Sequence, residues 1–240
     1  MPIGHAADMV AAIKAARPSV VAVGTFEQLR QPPVQLRGTG FAVADGRYVI
    51  TNAHVLPKKN LKKDEFLEVF SGIEAEARRY KVKIVDTDEE HDLALLKLVD
   101  GKLPPMALAK NRAEEGQEVA ITGYPLGSLL GLYPITHAGI ISAIKERSFP
   151  AYQRSQLTAE RVRRLRSSFE VYQIDANAYP GNSGSPLYDP VTQTVLGVVQ
   201  SVAVREKSQT SAIESPTGFT YAVPSRFVLA LLARNGLPGY

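Results

Sequence analysis

From Ser19 to Pro224 the chain is a succession of short runs rich in Val, Ile, Tyr and Phe: "SVVAVGTF", "GTGFAVADGRYVITNAHV", "YKVKIVD", "LALLKL", "EVAITGY", "ITHAGIISAI", "FEVYQIDA", "VLGVVQSVAV" and "FTYAVP". Runs of this length, made of β-branched and aromatic residues and bounded by turn formers, read as strands. Asp45-Gly46 inside the second run marks a hairpin. Because the strands follow one another without intervening helices, a parallel βαβ sheet is disfavoured, and antiparallel barrels or sandwiches are expected. The most polar, proline-marked connection, residues 99–117, divides the strands into two comparable sets, 18–98 and 118–224. The chain therefore reads as two small β-barrels packed together, with no internal repeat of solenoid period. Helical signals flank them: "AADMVAAIKAA" within residues 1–17, closed by Pro18, and "SRFVLALLARNG" within 225–240, expected to start at a Ser225 cap and stop at Asn235-Gly236. A third helical signal covers 158–166, with Thr158 as its cap.

Composition narrows the function classes. Apolar residues are 45% and charged residues 22% of 240, the balance of a chain that buries a real core. No apolar run approaches the ~18–20 residues of a membrane span. The first twenty residues lack a basic segment followed by an apolar stretch, so they do not read as a signal peptide. A cytoplasmic site, or a periplasmic or secreted one after signal removal, both stay open. The chain has no cysteine, which excludes disulfides, thiolate metal sites and a cysteine nucleophile. No metal and no organic cofactor is called for. The net charge of +4 gathers in 145–168, where Lys145, Arg147, Arg154, Arg161, Arg163, Arg164 and Arg166 face only Glu146 and Glu160. Such a cluster can bind nucleic acid or an anionic membrane. It lacks aromatic interleaving and any recognisable binding motif, so nucleic acid is disfavoured and a partner-facing or regulatory loop is expected.

Three polar sites interrupt the apolar strands. His54 follows a strand in "VITNAHVL"; Asp92 ends an acidic turn in "DEEHDLALLKL"; Ser183 sits among glycines in "PGNSGSPL". A serine hydroxyl is a poor nucleophile at neutral pH and needs a general base within hydrogen-bond reach. Histidine can take that proton and return it to a leaving group, and a carboxylate fixes its tautomer and stabilises the imidazolium. The chain order His, Asp, Ser is one of the known orders for this constellation. Asp88, Glu89 and Glu90 could supply the carboxylate instead, but the strand starting at Leu93 favours Asp92. His91 is expected at the surface, and His5 and His137 are expected to be structural or solvent-facing.

"TNAHV", "HDLALLKL", "GYPLG", "GNSGSPL" and "GFTYAVPS" together resemble the chymotrypsin-fold serine proteases, most closely their HtrA/Deg branch, over about residues 18–235. The resemblance implies two six-stranded antiparallel β-barrels, with His54 as base, Asp92 as its orienter and Ser183 as nucleophile. It places the oxyanion hole on the backbone N–H groups of Gly181 and Ser183, with Asn182 between them. Glycines beside the serine then let donors converge on a developing oxyanion. It implies polypeptide substrates, and a pocket for the residue before the scissile bond built from Asn177, Ala178, Val202 and Thr220. None of these is acidic, so Lys or Arg would lack a counter-charge and a small or medium apolar residue is expected.

The chain also departs from the pattern. Asn182 replaces the aspartate of digestive relatives, as in HtrA enzymes, and cannot form an ion pair with a new N-terminal ammonium. Tyr179 stands where asparagine is usual, and Ser185 replaces a second glycine. The PDZ domain that follows the terminal helix in HtrA enzymes is not expected before Tyr240. Segment 145–168 falls where the family carries a regulatory loop, a place for a homo-oligomer contact or a regulatory partner. Two rival functions stand beside proteolysis: a catalytically silent pseudoprotease or scaffold, and an anion binder using the arginines.

Overall fold

The structure, a computed structural model, describes residues 4–57, 61–125, 131–146, 169–200 and 220–239. After helix α1 (Gly4–Ala16), six strands close the first barrel: β1 (Val20–Glu27), β2 (Val34–Val43), β3 (Tyr48–Thr51), β4 (Glu65–Ser71), β5 (Arg78–Asp88) and β6 (Leu93–Leu98). Six more close the second: β7 (Glu118–Gly123), β8 (Ile135–Glu146), β9 (Glu170–Ile174), β10 (Pro186–Tyr188), β11 (Val195–Gln200) and β12 (Thr220–Pro224), before helix α2 (Ser225–Arg234). The strand order around the first barrel is 1-2-3-6-5-4, and around the second 7-8-9-12-11-10. These are the same path taken twice, a repeat in topology that the sequence does not display. Every strand pair is antiparallel.

Three apolar cores explain why the strands read as nearly continuous hydrophobic runs. Along β6, Ala94, Leu96 and Leu98 fill the first barrel, while Leu93 and Leu95 point out of it into a core shared by both barrels and both helices. Strand β3 does the same with Val49 inside and Ile50 outside. In the second barrel Val199 faces the interior and Val198 the shared core. A strand buried on both faces loses the polar alternation of a half-exposed one. At ~25 cal/mol per Å² of apolar surface, each fully buried Leu or Ile contributes roughly 1.5–3 kcal/mol, so the shared core joins the barrels firmly.

The connection 99–117 contributes Leu103, Met106, Leu108 and Ala113 to the buried set, and Leu108 bridges to Val195. Strand β4 was not evident in the sequence. Leu67 and Val69 point into the barrel, while Glu65 is paired with Arg30 at 2.9 Å and Glu68 lies 3.9 Å from Arg79. Helix α2 buries Val228, Leu231 and Leu232 on one face. Its expected Ser225 cap is corrected: Pro224 occupies the N-cap position, and the Ser225 hydroxyl donates to the Ala109 carbonyl at 2.7 Å. Its other end stops as expected. Gly236 takes φ +67, its N–H reaches the Ala233 carbonyl, and Leu237 N–H reaches the Leu232 carbonyl, a Schellman closure. The helical signal at 158–166 and the basic segment beyond Glu146 lie outside the described residues. Among the described residues no helix is long and apolar enough to cross a membrane.

Candidate active site

Strands β3 and β6 pair side by side, Thr51 opposite Ala94, so the residues leaving β3 and entering β6 emerge together at one barrel end. Beyond β3 a single 3-10 turn, Ala53–Val55, carries His54. Just ahead of β6 is Asp92, at φ +56, in the left-handed region that costs a non-glycine residue about 1–3 kcal/mol. Surrounding contacts hold it there. The Asp92 carbonyl accepts from Asn52 Nδ2 at 2.9 Å and from Ala53 N–H at 3.1 Å. Its carboxylate accepts from the His54 backbone N–H at 2.9 Å and lies 2.6 Å from His54 Nδ1. This geometry fixes both imidazole plane and tautomer, with Nδ1 protonated toward Asp92 and Nε2 free to accept a proton. Asp88 does not compete, because its carboxylate is engaged with His91. The His54 side chain is 44% exposed and that of Asp92 21%, so the ring faces the surface and the carboxylate stands behind it.

Ser183 sits where two tight turns meet. In the first, Asn182 N–H reaches the Tyr179 carbonyl at 3.0 Å around Pro180 and Gly181, the latter at φ +100. In the second, Ser185 N–H reaches the Asn182 carbonyl at 3.0 Å around Ser183 and Gly184, the latter at φ +88. Both carry the type II signature of positive φ at the third position, which is why glycine stands at 181 and 184. The Ser183–Gly184 peptide is pinned between the barrels. Its carbonyl accepts from Thr39 N–H at 2.8 Å, and its N–H donates to the Val199 carbonyl at 2.9 Å. The Gly181 and Ser183 N–H groups donate to no acceptor among the described residues, whereas that of Asn182 closes its turn. Of the three N–H groups expected from the sequence to face an oxyanion, that of Asn182 is thus already engaged. Asn182 is fully buried, with both side-chain polar atoms unpartnered among the described residues.

Two residues of this constellation went unrecognised in the sequence. Thr39 Oγ1 donates to the Gly181 carbonyl at 2.7 Å and accepts from Tyr124 N–H at 2.9 Å, while the Thr39 carbonyl accepts from Thr51 Oγ1 at 2.7 Å. Gln200, at the end of β11, donates to Asp92 Oδ2 at 3.0 Å and to the His91 carbonyl at 3.2 Å. Their partners lie up to 142 residues away in sequence, so no local motif could have revealed them.

His54 and Asp92 thus meet at one end of the first barrel, and the turn that bears Ser183 is bonded to strands of both antiparallel barrels. A family model described as a trypsin-like peptidase domain matches residues 38–198. The chain belongs to that family. The trypsin-like domain is 32% identical over 192 residues to "Serine protease Rv3671c" of Mycobacterium tuberculosis H37Rv, covering 80% of this chain and 42% of that protein. It is 27% identical over 223 residues to "Serine protease HTRA1" of Xenopus tropicalis, covering 91% of this chain and 41% of that protein. The chain thus spans about two fifths of the length of these curated relatives. Among solved structures it resembles the active form of the M. tuberculosis Rv3671c protease, with 26% identity and TM-score 0.68 over 95% of this chain and 85% of that one. The HtrA-like resemblance read from the motifs therefore holds.

The structure describes three of the four expected specificity residues of the trypsin-like domain. Asn177 is exposed; Ala178 packs against the interior core of the second barrel. Thr220 is buried, and its hydroxyl donates to the Ala176 carbonyl at 2.7 Å. Val202 lies outside the described residues. Two histidines depart from expectation or refine it. His91, expected at the surface, has a side chain only 15% exposed. It is held by Asp88 and stacked on Phe227 because Phe169, just ahead of β9, and Phe227 of α2 converge over it. His137 is on the interior face of β8, paired with Ile121, with Nε2 buried and unpartnered. Burial pushes its imidazole below the ordinary value of 6.5.

Proposed function

We propose that this chain is a serine endopeptidase acting on unfolded or flexible polypeptides, with His54 as base, Asp92 as orienter and Ser183 as nucleophile. The observation that carries the reading is the 2.6 Å contact between His54 Nδ1 and Asp92 Oδ2 at the barrel seam onto which Ser183 is pinned. Ser183 Oγ attacks the scissile carbonyl and passes its proton to His54 Nε2. The free N–H groups of Gly181 and Ser183 receive the oxyanion. Collapse returns the proton to the departing amine and leaves an acyl-enzyme, which water then releases by the same steps. Asp92 keeps the imidazole oriented throughout.

The pocket proposed for the residue before the cut would draw on Asn177, Ala178, Val202 and Thr220. The lack of an acidic side chain among them supports a small or medium apolar residue before the cut. Digesting unfolded casein and mapping the termini by mass spectrometry tests both parts. Cleavage that Ser183→Ala abolishes, mainly after Ala, Val, Ile or Leu, is expected; a majority of cuts after Lys or Arg overturns the specificity.

A second reading, a binding scaffold without turnover, draws on one observation: among the described residues the His54 ring hydrogen-bonds to Asp92 alone. Resting enzymes often close the base-nucleophile bond only with substrate in place, which keeps proteolysis first. Casein left intact by well-folded protein would favour the scaffold.

A further inference from the structure

Helix α2 and the residue after it hold the β5–β6 connection that carries Asp92 at two places, the turn itself and the end of β5. At the near end, Phe227 stacks on His91 with ring centroids 3.9 Å apart and planes at 21°. Phe169 closes on both rings edge-on, at 4.7 Å from His91 and 5.4 Å from Phe227. At the far end, Arg234 Nε and Asn235 Nδ2 each donate to Asp86 Oδ2 at 2.8 Å, and Arg234 Nη2 donates to the Thr87 carbonyl at 3.1 Å. These bonds, Asn235's first, hold the Asp86 carboxyl below its ordinary range.

Between the two grips His91 repeats the geometry of the inner pair. Asp88 accepts the His91 backbone N–H at 3.1 Å on one oxygen and lies 2.7 Å from Nδ1 with the other, as Asp92 does for His54. The ring plane is therefore set by Asp88 on one side and Phe227 on the other. His91 precedes Asp92 in the chain, and one Gln200 amide ties the His91 carbonyl to Asp92 Oδ2. Asp92, at positive φ, relies on contacts such as these to keep its conformation.

We propose that α2 acts through His91 to position Asp92: His91 is a positioning residue, and loosening its seat on Phe227 misaligns the carboxylate behind His54. The proposal rests on the reading of His54, Asp92 and Ser183 as a working triad. It makes the C-terminal helix a route by which events at that end of the domain reach the site.

The test uses the intact chain and the variants Phe227→Ala, His91→Ala, His91→Phe and the helix-end pair Arg234→Ala/Asn235→Ala. Three quantities are read: the far-downfield proton resonance of His54 Nδ1, kcat and KM on a fluorogenic peptide, and the thermal midpoint. Phe227→Ala and His91→Ala are expected to broaden or shift the resonance and to lower kcat by about 10- to 100-fold, with KM within about twofold. His91→Phe, which keeps the stack and loses the Asp88 clamp, should recover part of kcat. Arg234→Ala/Asn235→Ala should move the resonance in the same direction, and it decides the matter if the aromatic variants do not fold. A wild-type resonance and wild-type kcat in folded Phe227→Ala or in the Arg234/Asn235 pair overturns the proposal. So does a kcat loss that merely follows the folded fraction. If the wild type shows the resonance but hydrolyses nothing, the protease reading fails, and the resonance alone still decides the coupling.

Discussion

Replacing Thr39 with valine removes one oxygen and keeps the shape. That oxygen is fully buried, donates to the Gly181 carbonyl at 2.7 Å, and accepts from Tyr124 N–H at 2.9 Å. Thr39→Val leaves both backbone groups without their partner. A buried polar group stripped of its partner costs about 1–3 kcal/mol, so the two together are expected to cost about 2–6 kcal/mol. Against a typical domain stability of roughly 5–15 kcal/mol the variant still folds, and its denaturation midpoint falls clearly. Activity suffers for a separate reason. In the proposed mechanism Gly181, third residue of its turn, supplies one oxyanion donor, and loss of one such donor costs about 10²–10³ in kcat. Thr39→Ser keeps the hydroxyl and loses only a methyl. The assay is kcat and KM on a fluorogenic peptide, beside urea melts followed by circular dichroism. Thr39→Val should lose at least about tenfold in kcat with KM little changed, and Thr39→Ser should restore most of it. Wild-type kcat in Thr39→Val, or a serine variant as impaired as the valine one, refutes the argument.

Two further outcomes follow from single groups. A Cβ at Gly184 would stand 2.0 Å from the Thr39 carbonyl oxygen and 2.5 Å from Thr51 Oγ1, at φ +88, so Gly184→Ala should yield no soluble protein or a folded chain that hydrolyses nothing; a normal melt with normal turnover would contradict this. His137 is held below its ordinary value by burial, so the folded state binds its proton less readily than the unfolded chain. Its contribution to stability is complete above the unfolded value and erodes as pH falls below it. The thermal midpoint should drop between about pH 7.5 and about pH 5.5, and His137→Leu should flatten that drop; equal slopes in both proteins would refute the assignment.

The barrels, the His54–Asp92 pair and the glycine turns around Ser183 were legible because they are written locally. Strand runs alternate or saturate with apolar residues, and each of the three polar residues breaks such a run next to turn formers. What stayed hidden was settled at long range. Strand β4 carries Glu65 and Glu68 in an otherwise apolar run, and their partners Arg30 and Arg79 come from other parts of the chain. Ser225 has every local mark of a helix cap, yet the carbonyl of Ala109, 116 residues earlier, takes its hydroxyl. His91 looked like a surface residue of an acidic turn, and only the convergence of Phe169 and Phe227 encloses it. Asn182 is adjacent to Ser183 in sequence, but its N–H is taken by the Tyr179 carbonyl in closing the turn.

The measurement that bears most directly on the account is labelling by a fluorophosphonate, with the adduct located by peptide mapping. A hydroxyl activated by an oriented imidazole reacts where ordinary serines do not, and removing either partner in comparable triads costs about 10⁶ in kcat. The predicted result is one adduct, on Ser183, that disappears in folded His54→Ala. An unlabelled Ser183 in folded wild-type protein, or undiminished labelling in His54→Ala, would contradict the account.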